Sequence, residues 1–392
     1  MKIAILSTSL TVGGAAIVTA HLAEALSGAG HEVRTFTLPE GRRELRPAFL
    51  AERLGIFLRN GLRRDTLFKV STADCGRRGI VNKVRAFAPD VIILGWINQG
   101  LLSIPQIRRL GEAAPIVWVM HDMWNFTGIC HHSLGCLRFS GRCGKCPMLA
   151  EPVRGDNDLS HKGWLRKRAL YDALPSVRFV AVSSWVQEQA RRSSLLRERD
   201  VTVIPNVYPL DRYTVGEKEP GLVAMGAQRL DDPIKGLHHA IEALNMLPAD
   251  SGVHAVFFGS LKDPHALDGL RIPYEYVGPL SAEGVGELLN RAQVVLSTSL
   301  YETLGNTLVE GQASGAIPVA FDRGGQVDVI DHMRSGFLAP FGDTAAIARG
   351  ILWALSGRVG PEDVRHAAEG RYSGAAVARR FEKLFCDSRN IP

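Results

Sequence analysis

The sequence predicts an α/β protein built from two similar halves with parallel sheets and a cleft between them, and three observations carry that prediction. Apolar runs of strand length alternate with segments of helix length along the whole chain, the order expected of parallel sheets. The alternation pauses once, at IPNVYPLD near Val203 to Pro209, and a second series of the same kind begins with GLVAMGA. The 392 residues suffice for two domains that each bury a core, so the boundary is placed at the pause, giving 1–205 and 206–392.

KIAILS is the first strand, TVGGAA is a turn carrying Gly13 and Gly14, and IVTAHLAEALSGAG is a helix closed by Gly28 and Gly30. HEVRTFTL, DVIILGW, PIVWVMH and VRFVAVS complete the strands of the first half. In the second half VHAVFFGS, YEYVGPL, QVVLSTS and AIPVAFD follow, each separated by a helix. The last helix is expected to pack back on the N-terminal half. No short-period repeat or low-complexity segment is present, which argues against solenoids and propellers.

Composition narrows the class further. With 46% hydrophobic and 22% charged residues the chain is ordinary globular material, neither disordered nor collagenous. Its apolar runs fall short of the ~18 residues that span a bilayer. The N-terminus MKIAILSTSL lacks the length and cleavage site of a signal peptide and reads as a strand of a cytoplasmic protein. The formal net charge of +6 is local: between Arg42 and Arg85 there are 12 Lys or Arg against the acids Glu44, Glu52, Asp65 and Asp74. Within this stretch FLAERLGIFLRNGLRR places Phe49, Leu50, Leu54, Phe57, Leu58 and Leu62 at near-helical spacing among arginines, a basic amphipathic helix. Such a helix is a solvated face, a dock for anionic membrane, or a nucleic-acid contact.

The chemistry concentrates in YETLGNTLVEGQASGAIPVA, where Glu302 and Glu310 are separated by seven residues. A helix starting near Gly305 would put Glu302 in the preceding loop and Glu310 on the first turns, with the N–H groups of Gly305, Asn306 and Thr307 directed at an anion. A carboxylate can accept two hydroxyl hydrogen bonds, which suits a sugar or a ribose diol. Two glutamates alone would equally be an acidic helix start and a solvated face. In GAQRLDDPIKG, Arg229 closes a strand and Lys235 opens a helix, a spacing of cations that suits a diphosphate. TVGGAA is not G-x-G-x-x-G, so a dinucleotide dehydrogenase is poorly supported. His121 ends the strand PIVWVMH, where ligands collect in open α/β sheets, and Asp122 beside it is a weaker candidate. No Ser–His–Asp set is apparent.

These residues resemble the retaining glycosyltransferases of family 4, a group with the GT-B fold, two Rossmann-like domains facing across a cleft, that uses nucleotide-diphosphate sugars, and the resemblance spans essentially the whole chain. It implies that Glu302 contacts the donor sugar, Glu310 the nucleotide ribose, and Arg229 and Lys235 the diphosphate. The Gly13–Gly14 loop would lie across the cleft from that diphosphate, and His121 would touch the donor sugar. Loops near Gly259 and from Val277 to Leu280, with Gly278, are expected to read the base, UDP or GDP. Catalysis would come from charge stabilisation and positioning, with the donor phosphate taking the acceptor proton on the same face. The aspartate-rich metal motif of the other main glycosyltransferase fold is absent, so no catalytic divalent metal is expected.

Cys130, Cys136, Cys143 and Cys146 follow C-x5-C-x6-C-x2-C in CHHSLGCLRFSGRCGKC. Four thiolates in a short loop can close a structural zinc site; free thiols or disulfides and an iron–sulfur cluster are the alternatives. The resulting expectation is a hexosyltransferase that moves a sugar to a glycan or lipid-linked acceptor in bacterial surface-polysaccharide assembly, such as lipopolysaccharide. It would sit peripherally on anionic membrane at the inner face of the plasma membrane and bind no nucleic acid. The alternatives are a nucleotide-sugar epimerase of the same architecture and a basic, zinc-containing nucleic-acid-binding protein.

Overall fold

The computed structural model describes residues 1–39 and 47–389, so Arg42, Arg43, Glu44 and Arg46 of the basic stretch lie outside the described residues. The chain forms two compact units, residues 1–207 with the chain from Val377 onward, and Tyr208–Ala376. Each contains one six-stranded sheet in which all neighbours are parallel.

In the first unit β1 (Lys2–Leu6), β2 (Glu32–Phe36), β3 (Val91–Leu94), β4 (Ile116–Met120), β5 (Arg178–Ala181) and β6 (Val201–Val203) lie in the order β2-β1-β3-β4-β5-β6. The helices are α1 (Gly14–Gly28), α2 (Pro47–Arg59), α3 (Ile80–Phe87), α4 (Ile104–Gly111), α5 (Leu159–Ala173) and α6 (Ser184–Arg192). β3 and β4 are buried at every position, which is why they read as unbroken apolar runs. Trp118 of β4 meets Phe179 of β5 and Tyr171 of α5, both with ring centroids 6.3 Å apart. Burial of each such ring contributes about 1.5–3 kcal/mol. The sheet grows outward in opposite directions from β1 and β3, which opens a crevice at their C-terminal ends.

α2 inverts the arrangement that its composition suggests. It buries Phe49, Glu52, Arg53 and Ile56, while Leu50, Leu54, Leu58 and, just beyond it, Leu62 are 48–60% exposed. The cause lies in the irregular segment beneath. Glu52 accepts the backbone N–H groups of Thr72 and Ala73, each at 2.9 Å, and Arg53 donates to the Val70 carbonyl at 3.1 Å and to Ser71 Oγ at 3.3 Å. Glu52 and Arg53 also pair with each other at 3.2 Å. Buried backbone groups need partners, and here the helix supplies them from its polar residues.

In the second unit β7 (Leu222–Arg229), β8 (His254–Ser260), β9 (Tyr274–Gly278), β10 (Val294–Ser297), β11 (Ile317–Phe321) and β12 (Phe337–Ala339) take the order β12-β11-β10-β7-β8-β9. The helices are α7 (Leu237–Asn245), α8 (Ala282–Arg291), α9 (Asn306–Ala313), α10 (Gln326–Val329), α11 (Thr344–Leu355), α12 (Pro361–Tyr372) and α13 (Gly374–Arg389), whose course from Val377 belongs to the first unit. Val223, Phe257, Leu296, Val319 and Ile347 are among the fully covered side chains of its core. β10 pairs with β7 only at Val294 with Val223 and Val295 with Ala224, after which the two strands part. A crevice therefore opens at the C-terminal ends of the two strands from which the sheet grows in opposite directions.

Candidate functional site

The parting of β7 and β10 brings together residues far apart in sequence. Arg229 is the last residue of β7, and the short turn Pro233–Lys235 leads into α7. Glu302 lies in the loop after β10, and its Oε2 accepts a hydrogen bond from Lys235 Nζ at 2.7 Å. The other oxygen accepts the Thr303 N–H at 3.2 Å. Burial alone would lower the Lys235 pKa, but the charge of Glu302, its hydrogen bond and the charge of Asp232 more than offset that, so the ammonium is held above its ordinary value. Arg229 is paired with Asp231 and Asp232, each at 3.3 Å. Three carboxylates thus engage these two cations.

Gly305, with φ of 101°, turns the chain into α9, and its carbonyl accepts the N–H groups of Leu308 and Val309. As the first residues of the helix, Asn306 and Thr307 have N–H groups without intrahelical acceptors, beside the positive end of the helix dipole. The Asn306 side chain is fixed by Tyr208, whose hydroxyl donates to Oδ1 at 2.5 Å. Glu310 sits one turn into α9. Burial pushes its carboxyl up to about 7, against the smaller downward pull of a hydrogen bond with Tyr213. Nothing in the sequence singles out Tyr213, which lies far from Glu310 along the chain. Gly278 ends β9, two strands from β7, and is not gathered with Lys235 and Glu302.

In the first unit Gly13 precedes α1 and Gly14 is its first residue, next to the end of β1. His121 follows β4 and, with Thr19, Gly95, Asn206 and Val207, lines a cavity of about 10 Å³. Burial drives its imidazole down to about 4, despite the opposing charge of Asp122, so it is neutral at physiological pH. Asp122 accepts from Trp96 Nε1 at 2.9 Å, from the Trp124 N–H at 2.7 Å, and shares a 2.7 Å contact with His131 Nδ1. Burial raises its pKa, yet the His131 charge and hydrogen bond prevail and hold it at about 2.

His131 Nε2 is in turn 3.0 Å from Ser71 Oγ. The structure thus contains a Ser71–His131–Asp122 chain that the sequence did not disclose. Ser71 is 1% exposed, and its hydroxyl also receives Arg53, so the chain fastens α2 to the end of β4 and offers no nucleophile to solvent.

Cys130, Cys136, Cys143 and Cys146 line one cavity of about 20 Å³, but among the described residues no group of three or more His, Cys, Asp or Glu converges to hold a metal ion. The loop is held by polar protein contacts: Asp158 accepts the Cys146 N–H at 2.8 Å, and Ser160 Oγ accepts that of Gly144 at 2.9 Å. Burial pushes the Cys130 thiol up to about 12 and the Cys143 thiol to about 11.

Comparison with known proteins identifies the family. Glycosyltransferase Family 4 matches residues 12–212, and Glycosyl transferases group 1 matches residues 214–371. A 2-deoxystreptamine glucosyltransferase of Streptomyces kanamyceticus is 28% identical over 129 residues, which are 31% of this chain and 33% of that protein. The chain thus matches about a third of that relative's length. Among solved structures, a glycosyltransferase from Rickettsia africae ESF-5 superposes with a TM-score of 0.67 at 15% identity, covering 100% of this chain and 99% of that one. HepE of Anabaena in complex with UDP-glucose gives 0.63 at 16% identity, over 99% of this chain and 100% of that one. At these identities the structures establish the GT-B fold.

Proposed function

We propose, for a chain that belongs to glycosyltransferase family 4, the transfer of a sugar from a UDP- or GDP-sugar to a glycan or lipid-linked acceptor with retention of anomeric configuration. The observation that carries this reading is the 2.7 Å pairing of Lys235 with Glu302 where β7 and β10 part, beside the start of α9. Lys235 and Arg229 hold the diphosphate and stabilise the charge that grows on it as the glycosidic bond breaks, and the start of α9 adds its dipole. Glu302 accepts donor-sugar hydroxyls, and Glu310 accepts the ribose diol. In the retaining step the C1–O bond to phosphate breaks, the acceptor oxygen bonds to C1 on the same face, and the acceptor proton passes to the departing phosphate oxygen. His121, being neutral, is suited to hydrogen bonding with a sugar hydroxyl.

The acceptor belongs to bacterial surface-polysaccharide assembly in this reading, and the enzyme works docked to the anionic inner face of the plasma membrane. The exposed leucines of α2 support the docking. Arg64 and Lys69 stand exposed in the same stretch, with Arg59 paired to Asp74 and Arg63 to Asp65, so an apolar ridge is accompanied by net positive charge, as a helix lying in an anionic headgroup layer requires. Among the described residues no helix is long and apolar enough to cross a membrane.

Thermal unfolding with UDP, GDP, ADP and their sugars tests the donor site. A bound nucleotide at ~100 times its Kd should stabilise the protein by about 2.7 kcal/mol, and Glu310→Ala should abolish the response. A protein that responds to none of them, or a product sugar of inverted configuration, refutes the reading. Co-sedimentation with phosphatidylglycerol vesicles at low salt, lost in Leu50→Ser/Leu54→Ser/Leu58→Ser, tests the docking.

A further inference from the structure

One cation beside this site has no role in the reading above. Arg323 follows β11, and its guanidinium lies 3.9 Å from the centre of the Phe341 ring and 5.9 Å from that of Tyr301. Tyr301, Arg323 and Phe341 follow β10, β11 and β12, three adjacent strands, so the group sits at the C-terminal edge of the sheet where ligands collect. It stands one strand further from the β7–β10 crevice than Glu302. Arg229 has two carboxylate partners and Lys235 has one, whereas no ion pair is formed by the exposed Arg323 among the described residues. A flat aromatic face supports a guanidinium without occupying its in-plane donors.

The backbone beneath Arg323 is built against Glu302. The Gly325 N–H donates to the Glu302 carbonyl at 2.9 Å, and a Cβ at Gly325 would come within 2.1 Å of the Thr303 carbonyl oxygen. Gln326, fully buried, donates to the Arg323 carbonyl at 3.2 Å and accepts from Ser297 Oγ at 2.6 Å, which ties the loop to β10. The loop that carries Arg323 is therefore fixed against the loop of Glu302, and the Phe341 ring supports its guanidinium. Phosphate already has Arg229 and Lys235 in the crevice. Of the other groups that take a planar, two-pronged donor, the base is assigned to the loops after β8 and β9, on the opposite side of the crevice from β11, which leaves a sugar carboxylate. Lys235 neutralises Glu302, so a second carboxylate is not repelled from this end of the site.

We propose that the donor is a nucleotide-diphospho-uronic acid and that Arg323 selects it by a bidentate contact with the sugar carboxylate. The proposal rests on the donor-site reading above. Its test is competition binding with UDP, UDP-glucose, UDP-glucuronate, GDP, GDP-mannose and GDP-mannuronate to the wild-type chain, Arg323→Gln and Arg323→Lys. The wild type should bind the uronate of one base roughly ten- to hundredfold more tightly than the matching neutral sugar. In Arg323→Gln that preference should vanish while the free nucleotide binds as before, and Arg323→Lys should retain part of it. Equal wild-type affinity for uronate and neutral sugar overturns the proposal and leaves the donor site standing. An equal loss of free-nucleotide binding in Arg323→Gln overturns it in favour of a phosphate contact, and failure of every nucleotide to bind removes both readings. Arg323 is exposed, so unfolding midpoints of the variants should match the wild type and confirm that they fold.

Discussion

Raising the pH from 6 to 8 should tighten the binding of a nucleotide sugar by roughly tenfold through Glu310 alone, because burial places its carboxyl at about 7. Only the carboxylate can accept both hydroxyls of a ribose diol. At pH 6 about one-tenth of the molecules carry it, and at pH 8 about nine-tenths do. The diphosphate of a nucleotide sugar is a diester and does not titrate in this range, so the profile reports the protein. Isothermal titration of the preferred donor at pH 6, 7 and 8 measures it, with Glu310→Gln as the control, expected to bind weakly and without the slope. Tyr213→Phe removes a hydrogen bond that lowers the Glu310 pKa, so its profile should move to higher pH. The same shift has a sign in the free protein. A carboxyl raised from 4.5 to about 7 is destabilising where the unfolded chain ionises and the folded one resists. Its cost is absent below pH 4 and grows to about 3 kcal/mol above pH 7, and Glu310→Gln should remove it. A pH-independent affinity in the wild type, or an identical slope in Glu310→Gln, would refute the assignment of Glu310 to the diol.

Two further outcomes are expected. Lys235→Met should lower kcat by roughly 10²- to 10³-fold, with a smaller change in donor KM, in steady-state kinetics, since it removes a cation facing charge that develops in the transition state. Glu52→Gln should cost about 3–5 kcal/mol in urea unfolding by leaving Arg53 buried without its partner, whereas Leu54→Ser on the outer face of the same helix should stay within about 0.5 kcal/mol.

The central strands of both sheets were legible because parallel strands covered on both faces are apolar without interruption, as β3, β4 and β11 are. β6 and β12 were not, being three residues each. The Glu302 and Glu310 pattern stood out because a loop and the helix after it keep a fixed spacing. Tyr213 and Arg323 did not, because only the fold brings them to Glu310 and to the loop before Glu302. The cysteine spacing marked a compact loop whose four thiols line one cavity, but spacing could not show that Asp158 and Ser160 anchor its backbone. The apolar period of α2 was read correctly as helical, but period does not reveal which face turns inward. Glu52 and Arg53 decide that, by satisfying the backbone of residues 70–73.

That inversion bears on how the protein behaves in a test tube. Leu50, Leu54 and Leu58 follow one another every four residues of the helix, so their exposed side chains form a single greasy edge, with the exposed Leu62 in the turn after it. Nothing in the helix's own anchoring depends on that edge, so folding stability places no restraint on it. In dilute buffer such edges find one another: the protein should self-associate as its concentration rises, and the arginines beside the ridge should keep it dispersed only while salt is low. Mild detergent would substitute for the missing cover. A preparation that precipitates with added salt and clears with detergent would be showing the chemistry of this one helix.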